Sequence, residues 1–172
     1  MTLYFGFYAG VQGSAQGQAR KFQFEKFPTK VYHGRFHTPK GLRKIDGEWL
    51  NEAGKAAEPP QVTFAGEYYL TAHSCGTACR YYQLSNLRLG AEIKEVTMFD
   101  AGEPWPVTRD GHPYLTILYH QPDSRLLIAE YHLDFDNPNK DETCRQRYYI
   151  LANGKLKAIS KTFSFCTEDS DR

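Results

Sequence analysis

The sequence predicts an all-β protein in which about 9 to 10 strands form an antiparallel meander, stacked as a sandwich or in a propeller-like arrangement. Aromatic residues make up 15% of the 172 residues, with 12 Tyr and 11 Phe, and strands are enriched in such residues. Short apolar runs follow one another, and turn residues separate nearly all of them. No segment of roughly 10 to 15 residues with helical periodicity lies between the runs, which argues against a mixed fold.

The clearest strand-like runs lie after Pro60. They cover Gln61–Ala72, Arg80–Leu84, Glu92–Phe99, Tyr114–His120, Arg125–Leu133, Arg145–Leu151 and Lys155–Phe165. The turns between them are typical of tight reversals, because Gly, Pro, Asn and Asp supply the backbone angles that reversals require. These turns are Gly90, Asp110-Gly111, Pro122-Asp123 and Asn153-Gly154, of which the last is a strong hairpin signal.

The part of the chain before Pro60 is less regular. Its candidate strands are an aromatic pattern at Phe22, Phe24 and Phe27, the run Val31–Phe36, and a hairpin over Ile45–Leu50 around Asp46-Gly47. Asn51–Pro60 contains alanines and charges and ends in two prolines, so it is expected to be one short helix, an exposed loop or a boundary.

Residues 20–172 are expected to form one all-β domain, since a chain of this size builds one core. Residues 1–19 are predicted to be an export signal or a disordered leader, because the apolar run Leu3–Val11 precedes small residues that extend to Ala19. No Lys or Arg stands before that run, as one would in a usual signal. No apolar stretch approaches the roughly 18 residues of a membrane-spanning helix.

The charge of the chain argues against a polyanionic partner. The formal net charge is +1 and the sequence pI is about 7.7. Lys and Arg form no clustered run, so the chain has no summed field that would hold nucleic acid.

The cysteines indicate an oxidising compartment. Cys75, Cys79, Cys144 and Cys166 make an even count in a small chain, which predicts two disulfides with three possible connectivities. We favour the pairs Cys75–Cys79 and Cys144–Cys166. The competing interpretation is four reduced, buried thiols in a cytosolic protein.

The segment His73–Cys79 has three interpretations. The favoured one is a disulfide that pins a sharp strand reversal. Redox chemistry usually requires Cys-x-x-Cys at the start of a helix, whereas the spacing here is longer and the setting is a turn. A zinc site would recruit His73 with both thiolates, but structural zinc prefers tighter or paired spacings, and the other cysteines are distant in sequence.

An acidic stretch supplies oxygen ligands at spacings that superficially suit calcium. Its members are Asp134, Asp136, Asn137, Asn139, Asp141 and Glu142. The stretch lacks the central glycine of an EF-hand and has Pro138 in a ligand position, so a solvated loop is favoured over a calcium site. The six histidines show no arrangement with a cysteine, and no common enzyme motif occurs. The sequence therefore favours a protein without catalysis, cofactor or metal.

The turn between two apolar strands, Gln121 to Arg125, is a candidate contact site. Pro122 fixes one backbone angle, Asp123 and Ser124 can form hydrogen bonds, and Arg125 can bind a carboxylate through two parallel bonds. A polar tip of this kind could enter the cleft of a partner. The alternative is an ordinary type I turn, for which Pro-Asp-Ser is equally suitable.

The second half of the chain resembles a group of secreted bacterial proteins. The resemblance covers Pro60 to Ile159 and rests on Thr63–Tyr69, Cys75–Cys79, Asp123–Leu127, and Cys144 with Tyr148, Tyr149, Asn153 and Gly154. In size, export features and all-β pattern, the chain is similar to periplasmic immunity proteins that neutralise a peptidoglycan amidase delivered by a type VI secretion system.

This resemblance implies a non-enzymatic, cofactor-free inhibitor that forms a one-to-one heterodimer with a cysteine–histidine amidase and plugs its cleft with a loop. It implies Ser124 as the residue that reaches the catalytic histidine. The supporting contacts would come from Gln121, Asp123 and Arg125, with Asp110 and Gly111 as a second contact loop.

Two alternatives belong to other functional classes. One is an envelope binding module for a small molecule or glycan, without catalysis. The other is an enzyme that uses Cys75 or Cys79, which would require a free thiol.

Overall fold

The computed structural model describes residues 21–135 and 143–166. Within these ranges the chain forms β-strands, two short 3₁₀ helices and no α-helix. The strands are β1 (Arg43–Ile45), β2 (Glu48–Leu50), β3 (Tyr68–Gly76), β4 (Cys79–Asn86), β5 (Tyr114–His120), β6 (Leu126–Leu133), β7 (Thr143–Ala152) and β8 (Lys155–Ala158). The 3₁₀ helices are Phe24–Lys26 and Lys94–Phe99. The predicted all-β class is confirmed.

The described strands form three antiparallel sheets, none of which closes into a barrel. Two are the hairpins β1–β2 and β3–β4, and the third has the order β5-β6-β7-β8. Each strand of this four-stranded sheet is hydrogen-bonded to the next one in sequence, so the predicted meander is confirmed there. The Asn153-Gly154 turn joins β7 to β8, and Asp46-Gly47 joins β1 to β2, as the sequence predicts.

The central strand β6 is covered on both faces. Residues 126–130 are each at most 4% exposed, whether they point to one side of the sheet or the other. An uninterrupted apolar run such as Leu126–Ala129 is consistent with a strand that has no solvent-facing side. Other elements must therefore pack on each face of the β5–β8 sheet.

The β3–β4 hairpin covers what we call the first face. The shared core on this side contains Leu70, Tyr82 and Leu84 of the hairpin together with Leu118, Leu127, Ala129 and Tyr149 of the sheet. The second 3₁₀ helix completes it, because the Phe99 ring meets the Tyr149 ring edge-on with 5.3 Å between centroids. The Tyr82 hydroxyl donates to the Thr116 carbonyl oxygen at 2.8 Å, which ties the two layers together.

Segments from the two ends of the described chain cover the second face. Phe22 stacks on Tyr148 with 4.4 Å between ring centroids, and Phe163 packs beside them. The C-terminal segment, residues 159–166, continues from β8 along the edge of β7, where Phe163 and Gln146 exchange backbone hydrogen bonds. These contacts bury a polar pair as well, since the Gln146 amide donates to the Glu130 carboxylate at 3.1 Å.

Both favoured disulfide pairs are present. Cys75–Cys79 closes the turn between β3 and β4, with 5.0 Å between the two Cα atoms. Cys144–Cys166 joins the start of β7 to the end of the C-terminal segment, with 5.5 Å between the Cα atoms. The competing prediction of four reduced thiols is wrong for this structure.

Several predicted strands are wrong or too long. Glu92–Phe99 contains a 3₁₀ helix, and Val96 and Phe99, three residues apart, reach the core together. The aromatic pattern from Phe22 to Phe27 contains the other 3₁₀ helix. Val31–Phe36 contains no strand. Asn51–Pro60 was not among the predicted strands; it forms turns and a bridge and no helix, which agrees with the loop among its three predicted alternatives.

Two other predicted strands have different bounds in the structure. Gln61–Ala72 becomes a strand only from Tyr68, because Phe64 and Tyr68 close a tight turn through Ala65 and Gly66, both at positive φ. Lys155–Phe165 stops being a strand at Ala158, although its backbone still bonds to β7 beyond that point.

Some predictions fall outside the described residues. These are the leader at residues 1–19 and most of the acidic stretch, residues 136–142. Within the described ranges, neither helix is long and apolar enough to cross a membrane.

Gly66 is a position where only glycine fits. Its φ is +81°, and a β-carbon there would overlap the Lys30 carbonyl oxygen. Gly111 has a similar φ of +88° but open space around it. We expect Gly111→Ala to lower the free energy of unfolding by roughly 1–2 kcal/mol, because alanine is strained in the left-handed conformation. Gly66→Ala should lower the free energy of unfolding by roughly 1–3 kcal/mol more, because its β-carbon also overlaps the Lys30 carbonyl oxygen.

Urea denaturation of the two variants measures this difference. Equal losses of stability in Gly66→Ala and Gly111→Ala would contradict the close approach of Gly66 to Lys30.

Candidate functional site

The predicted contact loop, residues 121–125, links β5 to β6, and other segments fix its backbone. The carbonyl oxygen of Pro122 accepts from Gly66 at 2.7 Å, and that of Asp123 accepts from Thr29 at 2.8 Å. The carbonyl oxygen of Ser124 accepts from Ala65 at 3.1 Å, and the Arg125 amide donates to Phe27 at 2.8 Å. Two segments that are distant in sequence, residues 27–29 and 65–66, therefore hold the backbone of the loop.

The structure corrects the role predicted for Ser124. The residue is 1% exposed, and its hydroxyl donates to the Phe24 carbonyl oxygen at 2.7 Å. The same oxygen accepts from the Leu126 amide at 3.2 Å. The Ser124 side chain therefore lies inside the protein and holds the N-terminal aromatic segment, so it is not presented to a partner in this structure.

The other predicted residues of the loop do reach the surface. Pro122, Asp123 and Arg125 are exposed, and Gln121 is half-buried. We call Gln121, Asp123 and Arg125 the polar tip. It presents a carboxylate, a guanidinium group and an amide on a backbone that is already ordered.

An open groove of about 570 Å³ adjoins the polar tip. Its charged lining residues are Lys30, Arg88, Arg125 and Glu67. Glu67 is already engaged, because its carboxylate accepts from Arg88 at 2.6 Å and from the Asn86 amide at 2.8 Å. Three cations against one paired carboxylate make this groove positive, although the whole chain is close to neutral.

The sequence did not identify the groove. Lys30, Arg88 and Arg125 are far apart in the chain, and nothing in their local patterns marks them as neighbours. Backbone hydrogen bonds join residues 65–67 to Tyr32, Leu87 and Ser124 and so bring the three segments together. Only the tertiary structure therefore forms the positive surface.

The second predicted contact loop contains Asp110 and Gly111, both exposed. Arg145 binds the Asp110 carboxylate through two bonds of 3.0 and 2.6 Å, which hold the pKa of Asp110 well below its usual range. His112 lies 3.7 Å from the same carboxylate and 2.8 Å from Asp134, a member of the predicted acidic stretch. The Asp110 side chain is thus already paired within the chain.

The structure does not bring the two predicted loops together. Asp110 and Gly111 precede β5 and residues 121–125 follow it, so the length of the strand separates them. Seven residues of antiparallel strand span roughly 20 Å. A partner that inserts one tip would touch only one of the two loops with that tip.

The chemistry predicted for the His73–Cys79 segment is limited by its disulfide. All four cysteines are oxidised, so the structure presents no thiolate nucleophile. The His73 ring stacks on Tyr81 with 4.7 Å between centroids, and its Nε2 lies 3.1 Å from the Thr71 hydroxyl. The favoured structural interpretation of this segment is the one observed.

A comparison of the chain with family models, curated proteins and solved structures finds no match. The resemblance to secreted immunity proteins stays a prediction from the sequence motifs, and the function has to be argued from the site itself.

Removing the Ser124 hydroxyl should affect stability. Ser124→Ala leaves the Phe24 carbonyl and the Leu126 amide without their buried partner, which costs roughly 1–3 kcal/mol. We expect this loss in a urea denaturation curve. Ser164 is exposed, so Ser164→Ala should change stability by less than about 0.5 kcal/mol. A Ser124→Ala protein as stable as the wild type would contradict the buried hydroxyl.

His120, at the base of the polar tip, should make folding sensitive to pH. Its Nδ1 lies 2.7 Å from the Thr63 carbonyl oxygen, and burial lowers the pKa of the imidazole. Because the folded pKa is below the unfolded value of about 6.5, the stability linked to His120 is present above pH 6.5 and is lost as the pH falls towards the folded pKa.

The free energy of unfolding between pH 7.5 and 5 measures this effect. We expect His120→Gln to flatten the decline relative to wild type. An unchanged slope would show that the His120 imidazole titrates alike in both states.

Proposed function

We propose that this chain is an extracytoplasmic immunity protein, a non-enzymatic inhibitor that binds a peptidoglycan amidase toxin one to one in the periplasm. The observation that carries the proposal is the polar tip, whose Asp123 and Arg125 are exposed although hydrogen bonds from two distant segments hold the backbone of the loop. A recognition loop ordered before binding avoids most of the entropic cost of association.

The disulfides support the proposed compartment. Both link cysteines that the cytosol would keep reduced, and their presence favours an oxidising environment such as the periplasm.

Asp123 takes the place that the resemblance implies for Ser124. Asp123 is exposed at the end of the tip, and its carboxylate can accept a charge-assisted hydrogen bond from a protonated imidazole. In the proposed complex Asp123 binds the catalytic histidine of the amidase and Arg125 binds a carboxylate or carbonyl group at the rim of the cleft.

The groove extends the contact surface beyond the tip. A stable complex buries about 800 Å² on each partner, which is more than three side chains provide. Lys30 and Arg88 line the groove beside Arg125, so we propose that acidic residues next to the amidase cleft occupy it.

The first experiment identifies and titrates the partner. Proteins captured from the native cell envelope are examined for an amidase, which is then purified and assayed on peptidoglycan with increasing amounts of this chain. We expect a one-to-one complex and complete loss of amidase activity at equivalence. Full turnover by the saturated pair would refute the immunity function.

The second experiment tests the polar tip. We expect Asp123→Ala/Arg125→Ala to raise the inhibition constant by roughly 30-fold or more, since residues at the centre of an interface contribute about 2 kcal/mol. The control is Arg43→Ala/Glu48→Ala, which removes one exposed positive and one exposed negative side chain from the β1–β2 hairpin and should leave inhibition unchanged. Equal inhibition by both double variants would show that the tip is only a turn.

The positive groove favours a second candidate, an envelope binding module for an anionic small molecule or glycan. Calorimetric titration with soluble peptidoglycan fragments distinguishes it from the first. Binding that Lys30→Ala and Arg88→Ala weaken, without any effect of the chain on an amidase, would support the module over the inhibitor.

A further inference from the structure

The Cys144–Cys166 disulfide lies beside two further metal-ligand side chains. The ligand atoms of Glu130, His132 and Cys144 all lie within 4.8 Å of one another, and Cys166 is bonded to Cys144. The His132 Nε2 atom is 3.7 Å from the Glu130 carboxylate. Three groups of the classes that bind zinc therefore lie together, and the disulfide attaches a fourth, Cys166, to one of them.

Strand geometry explains this convergence. Glu130 and His132 are two residues apart on β6, so both point to the second face of the sheet. Cys144 is the direct cross-strand partner of His132 on β7. The C-terminal segment brings Cys166 to the same place through the backbone bonds between Phe163 and Gln146. The positions thus depend on the sheet register and on that pairing, in addition to the disulfide.

One ligand pair already has the spacing of a tetrahedral zinc site, and the three grouped ligand atoms lie within 4.8 Å of one another. Zinc lies about 2.0–2.3 Å from nitrogen, oxygen and sulfur ligands, so tetrahedral ligand atoms are about 3.3–3.8 Å apart. The separation of His132 and Glu130 already falls in that range. Gln146 donates to the other oxygen of Glu130 at 3.1 Å, as outer partners of zinc-binding carboxylates do.

We propose that the reduced protein binds one zinc ion through Cys144, Cys166, His132 and Glu130, and that this site and the disulfide exclude each other. This inference does not depend on the immunity function. A dithiol reductant donates two electrons and two protons, the S–S bond breaks, and the reductant becomes a disulfide. Zinc then displaces both thiol protons to solvent and binds the two thiolates.

The other cysteine pair does not offer this arrangement. Near Cys75 and Cys79, the His73 ring stacks on Tyr81 and its Nε2 lies beside Thr71. Among the described residues, only the Cys144 side has a histidine and a carboxylate grouped with a cysteine at ligand distances. Zinc would keep the C-terminal segment attached to β7 when the disulfide is open.

The test uses the full chain carrying Cys75→Ser/Cys79→Ser, reduced with a phosphine and titrated with zinc or cobalt. We expect one metal ion per chain, and with cobalt the absorption bands of a tetrahedral, thiolate-bound ion. The oxidised wild-type chain should bind none at this site. His132→Gln and Glu130→Gln, each made in that background, should weaken zinc binding by roughly 100-fold or more and 10-fold or more, respectively.

His73→Gln in the same background is the matched control and should leave zinc affinity unchanged. The reciprocal variant Cys144→Ser/Cys166→Ser should bind zinc no more tightly than a single dithiol. The proposal is overturned if the reduced chain takes up no zinc, or if its affinity does not respond to His132→Gln. A reduced chain that is unfolded would also give zinc affinity that does not respond to His132→Gln, because its cysteines would bind metal without His132.

Discussion

Both faces of the β5–β8 sheet have to be covered, and the rest of the structure depends on this constraint. A meander of four strands cannot shield itself, and its central strand β6 has apolar residues pointing to both sides. The β3–β4 hairpin closes the first face. Segments from both ends of the described chain close the second face, where the Phe22 and Phe163 rings lie on Tyr148. These contacts join segments that are separate in sequence, so local sequence patterns do not predict them.

The sequence reveals local features of the fold and misses those set by packing. Asn153-Gly154 and Asp46-Gly47 predict their hairpins because the turn residues alone supply the needed angles. The apolar run of β6 predicts a strand because a short uninterrupted apolar run between turn residues is typical of a buried strand. The pattern of Glu92–Phe99 predicts a strand, but Val96 and Phe99 reach the Tyr149 side of the core from a 3₁₀ helix, because packing against that face outweighs the local pattern.

The candidate site likewise has one part that the sequence predicts and one part that depends on packing. The position of the polar tip follows from Pro122-Asp123 between two apolar strands, and the structure places that loop at the surface. Ser124 could not be separated from its neighbours by sequence, because its burial depends on Phe24, a hundred residues away along the chain. Ser124 anchors the N-terminal segment that covers the second face, whereas Asp123 and Arg125 face outward.

The two disulfides contribute differently to this arrangement. Cys75 and Cys79 are 4 residues apart, and Cys144 and Cys166 are 22 apart. In the chain-entropy model the shorter loop is worth about 2 kcal/mol and the longer one about 3 kcal/mol. The longer cross-link also holds the segment that buries Glu130 and Gln146, so its loss would expose a polar network as well as apolar rings. A second attachment would therefore contribute most at Cys144–Cys166, where a histidine and a carboxylate already lie beside the Cys144 sulfur.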